Sequence, residues 1–164
     1  MSDPSSTPTN PIDGARDIAA PSHAVVSEIF RYWDSKRGTR RMPSRAAIDP
    51  VELRRLVPNT ILIDVVEPEE RYRVRLVGGA ITDFFGRNMA GAWEEQSMAP
   101  TLFAQMTAIL TSVVVTRAPR FRAGRAQWHV DKSFRGFEAC WLPLSPDDNR
   151  VNKILGGIAF ERTR

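Results

Sequence analysis

The segment 71–91, RYRVRLVGGAITDFFGRNMAG, constrains the fold of this chain more than any other part of the sequence. Its first residues alternate between arginine and apolar or aromatic residues. A strand would place Arg71, Arg73 and Arg75 on one face and Tyr72, Val74 and Leu76 on the other. A strand with one wet face and one buried face is typical of an antiparallel sheet. Gly78 and Gly79 follow, where the backbone can turn sharply into a short apolar helix that lies close to the sheet.

Length and composition predict one domain that follows a flexible tail. The chain has 164 residues, of which 42% are hydrophobic, and this is enough for a single core. Residues 1–20 contain Pro4, Pro8 and Pro11 among small polar side chains, with too little apolar area to offset the entropy cost of ordering. We therefore predict a disordered tail over 1–20. One domain is predicted over 21–164, with a helical extension over 22–57 at its start.

The remaining patterns predict the order of the elements. A helix opens at Pro21-Ser22 and ends at Gly38, and Asp49 is a good N-cap for a short helix from Pro50 to Leu56. The other expected elements are strands 60–67 and 71–77, short helices between 81 and 96, a long helix 101–116, and strands 120–129, 134–144 and 153–161. A turn over Pro146–Asn149 joins the last two strands. Two strands, a helical crossing and three strands in succession make an α+β fold.

This order of elements resembles the PAS fold over about Ser22 to Glu161. Within that superfamily it resembles a family of small single-domain bacterial PAS-like proteins. The motifs that carry the likeness are the pair Tyr32-Trp33, the segment PSR-x-x-ID-P at Pro43–Pro50, the arginine-rich strand, and Gly79 followed by Phe84-Phe85-Gly86. The resemblance implies a five-stranded antiparallel sheet with helices on one face and a flanking N-terminal helix. It also implies a non-catalytic signalling module.

The resemblance also tells which cofactor residues to look for. A flavin photosensor of this fold needs a reactive cysteine in the short helices after the second strand, and 81–96 contains none, because Cys140 lies on a predicted strand. A haem sensor usually takes its ligand from the long helix, and 101–116 has no histidine and only Met106 as a poor substitute. His129 stands without the several convergent donors that a metal site needs. We therefore predict no cysteinyl-flavin, no haem, no metal site and no catalytic residues.

The apolar stripe of the long helix is expected to face the apolar side of the strand 71–77. If the core holds a cavity, a small apolar or aromatic ligand would lie between them, with two phenylalanines of the short helix as a lid. The residues of this predicted pocket are Tyr72, Val74, Leu76, Phe84, Phe85, Phe103, Met106 and Leu110. A core in which these side chains simply pack together remains the alternative.

Two surfaces are candidates for partners. The basic residues Arg37, Arg40, Arg41 and Arg45 suit phosphate or carboxylate, although no nucleic-acid-binding motif accompanies them, so specific nucleic-acid binding is not expected. In many PAS proteins the flanking helix packs on the outer sheet face or on a partner subunit, and Val25, Ile29 and Trp33 are spaced to do so. We predict a homodimer that uses this helix.

These features favour a sensory or regulatory module that binds a small molecule, a signalling protein or both. Because only three residues follow the last predicted strand, output through a separate protein is expected. A single cysteine, no secretory signal and no apolar run of membrane-spanning length predict a cytoplasmic protein. One alternative is a small cavity enzyme in which Asp64 and His129 do proton chemistry in a shared pocket. The other is an adaptor with a filled core.

Overall fold

A computed structural model describes residues 12–67, 71–85, 88, 90–91, 100–126 and 134–162. Its strands are β1 (Ile12–Ile18), β2 (Thr60–Val66), β3 (Arg71–Val77), β4 (Arg120–Ala126), β5 (Phe134–Leu144) and β6 (Lys153–Arg162). They form one antiparallel six-stranded sheet in the order β1-β4-β5-β6-β2-β3. The α-helices are α1 (Ala24–Arg37), α2 (Gly79–Phe85) and α3 (Pro100–Thr116). The α+β class and the five predicted strands are confirmed, and β1 is additional.

β1 corrects the prediction of a disordered tail over 1–20 and makes the sheet six-stranded rather than five-stranded. Ile12–Ile18 pairs antiparallel with β4, with Ile18 opposite Phe121. All three prolines of the tail precede this strand, so its backbone N–H groups are free to pair with the edge of β4. This ladder joins the strand to the sheet, and its described apolar side chains, Ala15 and Ile18, are half-buried. So short an apolar contribution is not visible in composition. Residues 1–11 lie outside the described part of the chain.

The helices cover opposite faces of the sheet. Neighbouring residues of a strand point to opposite sides, and on β5 these are Ala139 and Cys140. A Cβ atom on Gly157 would lie 2.7 Å from Ile29 Cδ1 and 2.9 Å from Cys140 Sγ, so Cys140 faces α1. Ala139 shares a cleft with Met106 of α3. α1 is therefore the flanking helix on one face, and α2 and α3 lie on the other.

The apolar stripe of α1 is buried in its own chain. Ile29 is fully buried and Trp33 is 2% exposed. Trp33 Nε1 donates a hydrogen bond of 2.9 Å to the carbonyl oxygen of Pro143 on β5. The prediction that this stripe is exposed for a second subunit is wrong for Ile29 and Trp33, because the sheet of the same chain covers them, and Val25 is half-buried. A homodimer stays a prediction, without these two side chains as its surface.

The segment predicted as a short helix, 50–56, forms turns instead. Asp49 caps it as expected, since its Oδ1 accepts a hydrogen bond of 2.9 Å from the Val51 N–H. Pro58, however, leaves too little chain for a regular helix, and a 3₁₀ turn over Val57–Asn59 leads directly into β2. Leu53 and Leu56 are buried, so these turns still close the α1 side of the core.

β3 follows its predicted alternation only as far as Val74. Tyr72 and Val74 are buried, and Tyr72 Oη lies 2.8 Å from Thr111 Oγ1 of α3, so this face meets α3 as predicted. A bulge then pairs Val74 with Ile63 and Leu76 with Leu62, leaving Arg75 as the extra residue. Because a bulge reverses the facing of every later residue, Leu76 points outward and is 55% exposed. Its predicted place in the pocket is wrong.

α3 carries the expected apolar stripe, with Ile109, Leu110 and Val113 buried. It ends where Arg117 takes a positive φ of 55°, two residues before Pro119. Within the described ranges no helix, α3 included, combines the length and the apolar character required to cross a membrane.

Candidate ligand-binding site

An apolar cleft of about 60 Å³ lies between the sheet and the helices α2 and α3, and it is partly open to solvent. α2 contributes Ile81 and Phe85, and α3 contributes Met106 and Ile109. The sheet supplies the floor, which consists of Ala15, Ile61, Phe137, Ala139, Trp141, Ile158 and Phe160. Gln105 and Arg122 are the polar residues among the described lining. The cleft therefore suits an apolar group.

The two phenylalanines of α2 have different roles. Phe84 is 1% exposed and stacks on Phe160 of β6, with ring centroids 4.1 Å apart and planes inclined by 13°. Phe85 meets Phe84 edge to face at 5.0 Å and lines the cleft. Phe84 thus fixes α2 to the sheet, and Phe85 is the wall. Of the short helices predicted between 81 and 96, Gly86 and most of the residues after it lie outside the described residues.

The structure places only some of the predicted pocket residues at the cleft. Phe85 and Met106 line the cleft. Tyr72 and Val74 of β3 pack in the core on the α3 side, where Leu110 is fully buried. Phe103 is half-buried and is not among the residues that line the cleft. The cleft lies over β5 and β6, further along the sheet than β3.

Sequence reasoning missed the floor of the cleft. Ala139 and Trp141 on β5 and Ile158 on β6 belong to strands with apolar residues on both faces, so alternation does not say which face meets α3. The small side chain of Ala139, between Phe137 and Trp141, is the available signal, because a small residue between two large ones leaves space in a sheet face.

The cysteine lies on the other side of the sheet from this cleft. Cys140 is fully buried against α1, and burial raises the pKa of its thiol to about 12. A thiol that stays protonated and faces away from the cleft is not placed to react with a molecule bound there.

Asp64, one half of the alternative acid–histidine pair, is also outside the cleft. Its Oδ1 lies 2.5 Å from Lys153 Nζ, and its Oδ2 lies 2.7 Å from an Nη atom of Arg75. Burial alone would raise the pKa of Asp64, but the hydrogen bonds and charges of Lys153 and Arg75 outweigh it and hold the pKa below its usual value. His129 lies outside the described residues. The contacts of Asp64 are those of a structural ion cluster rather than of a proton donor.

We expect Asp64→Asn to lower the free energy of unfolding at pH 7 by about 1–2 kcal/mol, since a charged acceptor between two cations is lost. A carboxyl whose pKa is lowered in the folded state contributes its full stability above its unfolded pKa, about 3.9, and loses it as the pH falls through the folded value. Urea unfolding from pH 7 to pH 3 should therefore show wild type and variant converging in acid. Parallel curves at all pH values would contradict this role.

The predicted anion-binding arginines mostly hold a loop in place. Arg37 pairs with Asp34 at 2.6 Å, Arg40 donates to the Ser145 carbonyl at 2.9 Å, and Arg45 donates to the Ile48 carbonyl at 2.9 Å. The backbone N–H of Arg41 donates to Asp148 at 3.0 Å. Anion binding by this group stays a prediction, and three of its guanidinium groups already have acceptors within the chain.

The turn that Arg40 and Arg41 contact has several hydrogen bonds of its own. Asp147 Oδ1 accepts from the N–H groups of Arg150 at 2.8 Å and Asn149 at 3.0 Å, and from Ser145 Oγ at 3.0 Å. These bonds, the one from Arg150 foremost, lower the pKa of Asp147 to about 2. The predicted turn over Pro146–Asn149 is confirmed.

A buried carboxylate anchors the start of α1. Glu138 is 6% exposed and accepts hydrogen bonds from Ser22 Oγ at 2.6 Å and from the His23 N–H at 2.7 Å. It also accepts from the Ser22 N–H at 3.1 Å. A negative charge at a helix N-terminus is favourable because the first N–H groups lack partners within the helix. β5 thus binds the beginning of α1 on the face opposite the cleft.

Comparison with known proteins gives a consistent result. A family profile described as PAS domain matches residues 21–159. The structure of the PAS domain from Bordetella pertussis BvgS is similar with a TM-score of 0.52 and 20% identity, over 84% of this chain and 88% of that one. A structure of an RNA-binding Light-Oxygen-Voltage receptor gives a TM-score of 0.46 and 17% identity, over 72% of this chain and 35% of that one. No curated protein sequence matches. The extent of the profile match, together with the sheet and its helices, shows that the chain belongs to the PAS domain family.

Proposed function

We propose that the chain is a non-catalytic sensory module whose input is a small molecule with an apolar part bound in the cleft. PAS domains are generally sensory or signalling modules. The observation that carries the proposal is the apolar cleft of about 60 Å³ over β5 and β6. Output through a partner protein and a cytoplasmic location stay predictions from the sequence.

The size of the cleft limits its ligand. A closed apolar cavity of about 150 Å³ binds benzene, and this one is smaller but partly open. A ligand could place a single ring or a short branched chain in the cleft, and the rest of the molecule would then lie at the opening. Widening would require movement of Phe85 or Met106, both of which are only partly buried and neither of which lies on a strand.

The chemistry of the lining supports binding rather than catalysis. Gln105 and Arg122 are its polar members among the described residues, and neither is a nucleophile or a general base in its ordinary ionisation state. Cys140 and Asp64 lie elsewhere, as described above. The cavity-enzyme alternative has no described side chain in the cleft to perform proton transfer.

A titration of the full chain with benzene, followed by ¹H–¹⁵N NMR, tests whether the cleft binds apolar groups. We expect amide shifts centred on Ile109, Ala139 and Ile158, because these residues surround the space. Ala139→Leu should abolish them, since the larger side chain fills the cleft from its floor. Ala15→Leu fills the cleft from β1, and it provides an independent filling variant in case Ala139→Leu does not fold.

Ala123→Val is the matched control, because Ala123 lies on β4 but on the α1 face, and its variant should bind benzene like wild type. Absence of shifts in wild type, or shifts that survive both filling variants, would favour the adaptor with a filled core. A second test uses native mass spectrometry of protein purified from its own host. If the cleft holds a natural ligand, the wild type should show a small-molecule adduct that the Ala139→Leu variant lacks.

A further inference from the structure

We propose that the ligand of this cleft is a monocarboxylate with an apolar body, and that Arg122 binds its carboxylate. The inference rests on the proposed function, because it names the chemical class that the same cleft would take. It starts from Arg122, which is the charged residue among the described lining of a space whose other lining residues, apart from Gln105, are apolar.

Arg122 lies at the boundary between the cleft and solvent. Its side chain is 27% exposed, and it projects from β4 on the face that carries Ala139 opposite it on β5. One Nη atom lies 3.2 Å from Asp17 Oδ1, on the neighbouring edge strand β1. The aliphatic part of an arginine packs against apolar groups while its guanidinium reaches water. A ligand with its apolar end in the cleft would therefore meet the guanidinium with its outer end.

The guanidinium keeps donor capacity for such a ligand. An arginine has five N–H donors in a planar fork that matches the two oxygens of a carboxylate. The bond to Asp17 uses one of its nitrogens, and Asp17 is 66% exposed. Ion pairs as exposed as this one contribute little to stability, so a bound carboxylate can replace Asp17, which then turns into water.

The charge balance favours a monoanion over a phosphate. Arg122 supplies one positive charge, and Asp17 supplies one negative charge 3.2 Å away. A carboxylate that displaces Asp17 is neutralised by Arg122 alone. A dianionic phosphate ester would leave one negative charge that Arg122 does not neutralise, and the nearby Asp17 carboxylate would repel that charge even after it has turned into water.

The test compares benzoate with benzamide, its neutral isostere, by ¹H–¹⁵N NMR titration of the full chain at low salt. Benzoate should bind more tightly than benzamide in wild type. Arg122→Gln should weaken the binding of benzoate about tenfold, as expected for losing a charge-assisted bond in a partly exposed site, and should weaken the binding of the neutral benzamide much less. Asp17→Asn should strengthen the binding of benzoate, because it removes the carboxylate that competes for Arg122 and that repels a bound anion. Arg125→Gln, on the same strand but with its side chain on the other face, removes the same charge and should change nothing.

The results for benzene and benzoate together show whether the apolar site, the carboxylate inference or both are wrong. If benzene binds in the cleft but benzoate binds no more tightly than benzamide, or if Arg122→Gln leaves benzoate unchanged, the carboxylate inference fails and the apolar site remains. If neither benzene nor benzoate shifts the cleft residues, both proposals fail. If phenyl phosphate bound more tightly than benzoate, the carboxylate inference would also fail, and the site would be assigned to a phosphate ester instead. Opposite effects of Arg122→Gln and Asp17→Asn are the signature of a binding site, since breaking one structural ion pair from either side would act in the same direction.

Discussion

Trp33→Ala is expected to lower the free energy of unfolding by about 3–5 kcal/mol. The side chain is 2% exposed between α1 and the sheet, so its loss leaves a cavity, and the Pro143 carbonyl loses its donor at 2.9 Å. Urea unfolding followed by circular dichroism measures this directly. Trp33→Phe is the matched control: it keeps much of the volume and loses the N–H, so it should cost less than half as much.

The same experiment decides between a core role and an interface role for Trp33. A side chain buried within one chain gives an unfolding midpoint that does not depend on protein concentration. If the wild-type midpoint rose with concentration and the Trp33→Ala midpoint did not, Trp33 would belong to a subunit interface. A loss below about 1 kcal/mol would contradict its burial.

Gly78→Ala is expected to destabilise the protein by about 3 kcal/mol or more, at the upper end of what overpacking costs. A Cβ atom on Gly78 would lie 2.3 Å from the carbonyl oxygens of both Val57 and Pro58. These are backbone atoms, so no side-chain rotation relieves the overlap. The 3₁₀ turn before β2 and the start of α2 must therefore move apart.

Gly79→Ala is the control that the chain itself offers for this prediction. The adjacent glycine has nothing within 4 Å of an added Cβ atom and begins α2, so alanine should be neutral or should stabilise by about 0.4–1 kcal/mol. Thermal unfolding of the two variants side by side measures the contrast. Equal stabilities would mean that the approach of the 57–59 turn to Gly78 is looser than the structure shows.

The sequence predicts those parts of the fold that depend on patterns of neighbouring residues. The alternation of Tyr72 and Val74 with arginines, and the helix bounded by Pro21 and Gly38, depend on residues close to one another in the chain. Their order was enough to indicate the PAS fold. Tyr72 and Val74 meet α3 as expected because two-residue periodicity is unambiguous where one face is charged.

The rest depends on pairing between distant segments. β1 is a strand because β4 offers it an edge, and Leu76 faces outward because a bulge lies at Arg75. The cleft forms over Ala139, whose facing follows from where β5 sits in the sheet. Ile29 and Trp33 looked like an interface because a helical stripe does not tell which surface covers it. Apart from the small side chain of Ala139 between Phe137 and Trp141, none of these facts has a signal within a few residues of the position concerned.

The burial of Cys140 makes the protein suitable for site-specific labelling. With the pKa of its thiol at about 12, almost none of the only cysteine is thiolate near pH 7, and maleimides should not reach it in the folded state. A cysteine introduced at an exposed position is then the sole reactive thiol. Spin labels at Arg31 on α1 and Ala104 on α3, both exposed, would report the spacing of the two helical layers in pulsed electron paramagnetic resonance, with no native residue to remove first.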